Sequence, residues 1–134
     1  MRNGSVRRRA GFTFVELMVV VTITTVLLMM AIPQYNKAIL AAKESVLHSN
    51  LFTLRTQIQN YVIDRQRAPL TLDALVQDGY LMELPMDPIT GTRDWRTIPE
   101  DPLQAVDQAE PGIMNVRSTS THTSPLNGRP YAEW

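Results

Sequence analysis

The sequence predicts an α+β protein: one long N-terminal α-helix, its first half apolar enough for lipid, packed on a small C-terminal domain with a short helix and a few antiparallel strands. Three observations lead there. Leu17 to Ile32 is a run of sixteen residues without a charge, a glycine or a proline. Leu40, Leu47, Leu51, Leu54, Ile58 and Tyr61 then recur as one stripe on a 3.6-residue period. Eight of the nine prolines fall in residues 69–134, so the composition turns there from helical to turn-rich. At 134 residues and 15.2 kDa the chain has room for one small domain.

Charge is distributed unevenly. The formal total is +0, from 13 basic and 13 acidic side chains, yet residues 1–11 hold four arginines (Arg2, Arg7, Arg8, Arg9) and no acid. The remainder has nine bases against thirteen acids, a net of −4. A positive charge confined to one end points to targeting and argues against a nucleic-acid-binding face. Without cysteine, disulfides, thiolate metal sites and cysteine nucleophiles are excluded. His48 and His122 stand 74 positions apart, outside any ligand-spaced cluster, and Ser, His and Asp show no triad-like arrangement. An enzyme is not expected.

The helix comes first in the chain. Residues 12–32 contain one charge, Glu16, and their 21 residues suffice to span a bilayer, which takes about 20. Arginines in front, and no further base until Lys37, keep the N-terminus cytoplasmic and send the remainder across. Pro33 removes one backbone bond and bends the helix, which continues to about Asp64 for a length of about 80 Å. Lys43, Glu44, Ser45, Asn50, Gln57, Asn60 and Asp64 form the polar face opposite the stripe. A short helix follows over Thr71–Asp78, capped by Thr71 and closed by Gly79. Pro85, Pro88 and Thr90-Gly91 make an irregular connection. Trp95–Ile98 and Gly112–Ser118 read as strands, and Arg129–Trp134 as a third short edge segment. About 70 residues bury little core alone, so the long helix serves as their packing surface.

The string Arg7-Arg8-Arg9-Ala10-Gly11-Phe12-Thr13-Phe14-Val15-Glu16 is a poor match to an ordinary secretory signal, because Met30-Ala31-Ile32-Pro33 lacks a small-residue cleavage site. A carboxylate at the centre of a helix in lipid costs about 2.5–3.5 kcal/mol and normally has a partner. With its basic leader, Gly11, Phe12, Thr13, Glu16 as fifth residue after the glycine, apolar span and Pro33, the chain resembles the type IV pilin and pseudopilin family. Phe14 stands where that family usually has leucine. The resemblance implies cleavage by a prepilin peptidase between Gly11 and Phe12, N-methylation of Phe12, and assembly through the Phe12 amine and Glu16 of neighbouring subunits. It implies a leader over residues 1–11, a membrane and polymerisation helix over 12–35, its periplasmic continuation over 36–66 and a small head over 67–134.

Ala68-Pro69, Gly79-Tyr80-Leu81 and Leu84-Pro85-Met86-Asp87-Pro88 look like the major pseudopilins of type II secretion, with Ala68 in place of their usual tyrosine. That resemblance implies a homopolymeric filament subunit of the bacterial inner membrane. Its partners are then itself, the peptidase, the assembly platform and minor pseudopilins, with no nucleic acid. The alternatives are a type IV pilin for adhesion, twitching motility or DNA uptake, and a membrane-tethered binding domain that never polymerises. Some major pseudopilins bind calcium in the C-terminal loop. Here Glu100, Asp101, Asp107 and Glu110 place four carboxylates in eleven residues, donors that suit calcium, but without an EF-hand spacing they read as a solvated loop, and no cofactor is expected. His48 reads as a surface or groove residue, and Tyr61 as core.

Overall fold

A computed structural model describes residues 11–101 and 111–134. The chain divides into two compact units, one ending at Ile39 and one running from Leu40 to Trp134. The first helix, α1, spans Phe14–Arg65 (52 residues) and contributes to both. It starts two residues later than the apolar pattern suggests, because Thr13 caps it: the Glu16 backbone N–H donates to Thr13 Oγ1 (3.2 Å) and the Leu17 N–H to the Thr13 carbonyl (3.1 Å). Thr13 and Glu16 thus hold the spacing of a capping box, with the acid in the first turn, where the helix dipole favours it. Pro33 lies inside α1 and does not end it.

In the first unit every large apolar side chain from Phe12 to Ile32 is at least 49% exposed. The polar residues within this stretch are satisfied locally. Thr22, Thr24 and Thr25 donate their hydroxyls to the carbonyls of Met18, Val20 and Val21, at 2.7, 2.8 and 2.8 Å. A hydroxyl bonded back to its own helix can sit in hydrocarbon without an unpaired donor. This stretch of α1 is long and apolar enough to cross a membrane.

In the second unit the predicted stripe is the core. Leu47, Leu51, Leu54, Ile58 and Tyr61 are buried, and Leu40 is half-buried. Each such leucine or isoleucine contributes about 1.5–3 kcal/mol on burial. Their neighbours are Leu72 and Leu75, Trp95, Ile113 and Val116, and Tyr131. The polar face departs from expectation at Glu44, which is 7% exposed and belongs to the buried side. At the C-terminus of α1, Gln66 takes a left-handed conformation (φ 55°) and its N–H closes on the Val62 carbonyl (2.9 Å).

The short helix α2 covers Asp73–Gln77. Thr71 Oγ1 accepts the Ala74 N–H (3.3 Å), so the threonine does cap its first turn. Gly79 (φ 81°) closes it in a Schellman arrangement: Gly79 N–H donates to the Val76 carbonyl (3.1 Å) and Tyr80 N–H to that of Leu75 (2.8 Å). Strands β1 (Trp95–Pro99) and β2 (Ile113–Ser118) pair antiparallel, with Trp95 opposite Ser118, Arg96 opposite Arg117, and a register shift between Ile98 and Pro99. Gly112 runs against Ala68, where a Cβ would come within 2.8 Å of the Ala68 backbone.

The third strand is a correction. Arg129–Trp134 forms one isolated bridge, Thr123 with Pro130, and then a 3-10 turn over Tyr131–Glu133. In a strand Tyr131 and Trp134 would face opposite sides. A 3-10 turn eclipses residues three apart, and it stacks the two rings edge to face at 5.2 Å.

Candidate functional site

The predicted processing residues are accessible. Gly11 has nothing crowding its Cα, and Phe12 is 79% exposed just ahead of the α1 cap. Glu16 is exposed in the first turn, and among the described residues its carboxylate has no hydrogen-bond or ion-pair partner. One end of α1 therefore presents an unpaired acid surrounded by exposed Phe12, Phe14, Val15 and Leu17. Such an acid, placed in an apolar surface, seeks a cation from outside the unit.

The head carries three polar centres that the sequence did not reveal as such. Glu44 Oε1 accepts the hydroxyls of Ser124 (2.6 Å) and Tyr131 (2.7 Å). Burial first, then the bond to Glu44 and its charge, push the Tyr131 phenol above its ordinary value. A signal for Glu44 did exist: the stripe skips from Leu40 to Leu47, and Glu44 fills the missing turn. Asp87, fully buried, accepts the Ile89 N–H (2.8 Å) and Thr90 N–H (3.3 Å) on Oδ1 and the Ser118 hydroxyl (2.5 Å) on Oδ2. It thereby ties the Pro-Met-Asp-Pro turn to β2. Arg55 donates through Nε to Asn115 Oδ1 (2.8 Å) and through Nη2 to the carbonyls of Val116 (3.0 Å) and Trp134 (2.7 Å). Burial, then the Arg117 charge, hold its pKa below the usual value. No pattern in the sequence marks Arg55 for this role.

His48 stacks on the Trp134 indole at 4.2 Å, which makes it a surface clamp on the C-terminal turn, and Tyr61 is core as expected. Of the acidic stretch, Glu100 and Asp101 are described, whereas Asp107 and Glu110 lie outside the described residues. Among the described residues no three acidic or histidine side chains converge as metal ligands would.

A membrane-type helix with an unpaired first-turn acid, continuing as the spine of a small α+β head, defines a pilin-like protein. The prokaryotic N-terminal methylation motif matches residues 6–32. The chain is 40% identical over 73 residues to competence protein ComGC of Halalkalibacterium halodurans, covering 54% of this chain and 72% of that one. It is 36% identical over 100 residues to type II secretion system core protein G of Dickeya chrysanthemi, covering 61% of this chain and 64% of the relative, just under two thirds. It is 41% identical over 58 residues to type IV major fimbrial protein FimA of Dichelobacter nodosus, covering 43% and 37%. No solved structure matches. The chain belongs to the type IV pilin and type II secretion pseudopilin family, and it is a structural subunit of the pilus-like kind.

Proposed function

We propose that this protein is the major pseudopilin of a type II secretion system. The observation that carries the choice is where similarity stops. Matches to core protein G proteins run over 98–107 residues, which is long enough to take in part of the head, whereas the fimbrial matches cover 58 residues.

In this reading prepilin peptidase removes residues 1–11 on the cytoplasmic side and methylates the Phe12 amine. Residues 12–35 anchor the subunit in the inner membrane and later form the filament's apolar core, residues 36–66 continue the helix into the periplasm, and residues 67–134 form the head. The new amine lies one turn from Glu16, and stacking offers it to Glu16 of a neighbour. Each subunit then brings one buried donor and one buried acceptor, matched only at the right axial stagger. Pro33, which leaves one helix carbonyl without its donor, lets the helix loosen as it moves from bilayer to fibre. The assembly platform and minor pseudopilins are the further partners, and the work is mechanical. No cofactor is needed, and calcium would have to be held by the Glu100–Glu110 acids.

The match to a competence protein favours a second reading, a fibre serving DNA uptake. A clean deletion scored in one culture separates them. Specific exoproteins disappear from the medium, with transformation, surface fibres and motility intact, if the secretion role is right. Loss of transformation, fibres or motility with secretion unchanged makes it a pilus or competence subunit.

A further inference from the structure

Two apolar features of the head have no counterpart within it. Leu40, Ile89, Pro125 and Tyr131 line a cavity of about 240 Å³, with the exposed Lys43 and His122 beside them. Small-molecule sites take about 300–1,000 Å³, so this space suits a single side chain. The Tyr131 hydroxyl is committed to Glu44 (2.7 Å), which leaves its ring to face an occupant. Among the described residues Lys43 has no ion-pair partner. The second feature is Met82, which is 101% exposed. A lone exposed methionine is ordinary, but this one is held outward. Leu81 and Leu84 on either side of it pack on the core, the Leu81 N–H donates to the Leu75 carbonyl (3.0 Å), and Glu83 Oε2 pairs with Arg93 (2.8 Å). The turn is fixed, and its outermost point is a flexible apolar side chain.

The two features lie at opposite ends of the part of α1 that carries the head. Tyr80, beside the methionine turn, packs on Tyr61 (5.3 Å between ring centroids) and donates its hydroxyl to Asp64 (3.0 Å), whereas the cavity takes Leu40 and Lys43. Lys43 and Tyr61 are 18 positions apart on α1, about 27 Å of helix, far beyond the reach of one side chain. Met82 therefore does not fill the cavity of its own chain. We propose that Met82 of one copy inserts into the Leu40–Ile89–Pro125–Tyr131 cavity of a second copy of this chain. The inference rests on the filament reading above, which supplies identical copies at a fixed stagger. A projecting apolar group and a cavity elsewhere on the same subunit make a heterologous contact, the kind that propagates along an open helical polymer. Methionine suits it, because an unbranched side chain adapts to an irregular cavity and its thioether packs well on an aromatic ring, here that of Tyr131. Charge agrees with the same docking. Glu83 follows Met82, its side chain is 69% exposed with only Oε2 engaged, and insertion brings it to the side of the cavity that holds Lys43.

The test uses full-length chains in assembling cells. The natural chain has no cysteine, so introduced thiols report without background. One copy carries Met82→Cys and one tag; a second carries Thr123→Cys, beside the cavity, and a different tag. Sheared fibres are then oxidised. A disulfide that joins the two tags is the expected product, and it is lost when the fibres are dissolved in detergent before oxidation. In a second arm, Met82→Glu lowers fibre yield about tenfold, whereas Met82→Leu, which keeps the apolar bulk, leaves it near normal. Met82 stands clear of its own head, so each variant folds and is processed as the unchanged chain is. Fibres that oxidise without joining the tags overturn the contact. Equal joining in dissolved subunits does so too, as does a normal fibre yield from Met82→Glu. Failure of the unchanged chain to form any fibre overturns the filament reading instead, and the contact with it.

Discussion

Glu44 shows how one buried acid organises the polar interior of the head. Its Oε1 accepts two hydroxyls, from Ser124 and Tyr131, that come from the far end of the chain. Glu44→Leu keeps the bulk and removes both acceptor bonds, leaving two donors unsatisfied, and the expected loss is about 2–4 kcal/mol. Tyr131→Phe removes one donor and costs about 1 kcal/mol. Both are read by denaturant unfolding of the detergent-solubilised chain, followed by tryptophan fluorescence; a silent Glu44→Leu refutes the role. The phenol also sets an alkaline limit. Because folding raises the Tyr131 pKa above 10.0, its contribution is whole below that pH and is lost as pH rises through the folded value. Tyr131→Phe flattens that part of the alkaline limb, and Tyr80, raised by burial and then by its bond to Asp64, keeps its own share.

At the scale of the element, glycine separates two kinds of constraint. Gly79 has open space around its Cα but a φ of 81°, so Gly79→Ala meets only backbone strain, about 1–2 kcal/mol. Gly112 has ordinary dihedrals but faces the Ala68 backbone, so Gly112→Ala forces the connection after α1 away from β2, at about 1–3 kcal/mol. Melting temperatures of the two variants test this, and in the second Ile113 N–H also loses its 2.7 Å bond to the Pro69 carbonyl, visible as faster amide exchange. Gly79 was legible in the sequence because a left-handed helix end demands glycine locally. Gly112 was not, because its constraint comes from residues 44 positions away. The 3-10 turn at Tyr131 was hidden for the same reason: its shape follows from where the Tyr131 hydroxyl and the Trp134 ring must go.

For the whole molecule, the decisive prediction concerns Glu16. Glu16→Ala removes an exposed acid that has no partner within the described chain, so membrane insertion, cleavage and head stability are expected to stay near normal while fibre yield collapses. Immunoblotting of precursor and processed forms beside sheared-fibre yield checks both halves, and normal fibre yield sinks the assembly role. By itself the sequence determined the membrane-length helix, the short helix capped by Thr71 and closed by Gly79, the buried stripe from Leu47 to Tyr61 and the two strands. These features rest on periodicity, charge and local dihedral preference, all of which act over a few residues. Only the tertiary structure decided that Glu44 turns inward, that Arg55 holds β2 and the C-terminal turn together, that Asp87 is buried against Ser118, and that two arginines face each other across the sheet. Each of those depends on partners 31 to 87 positions apart or on the register of a ladder, distances that no local preference of a few residues can encode.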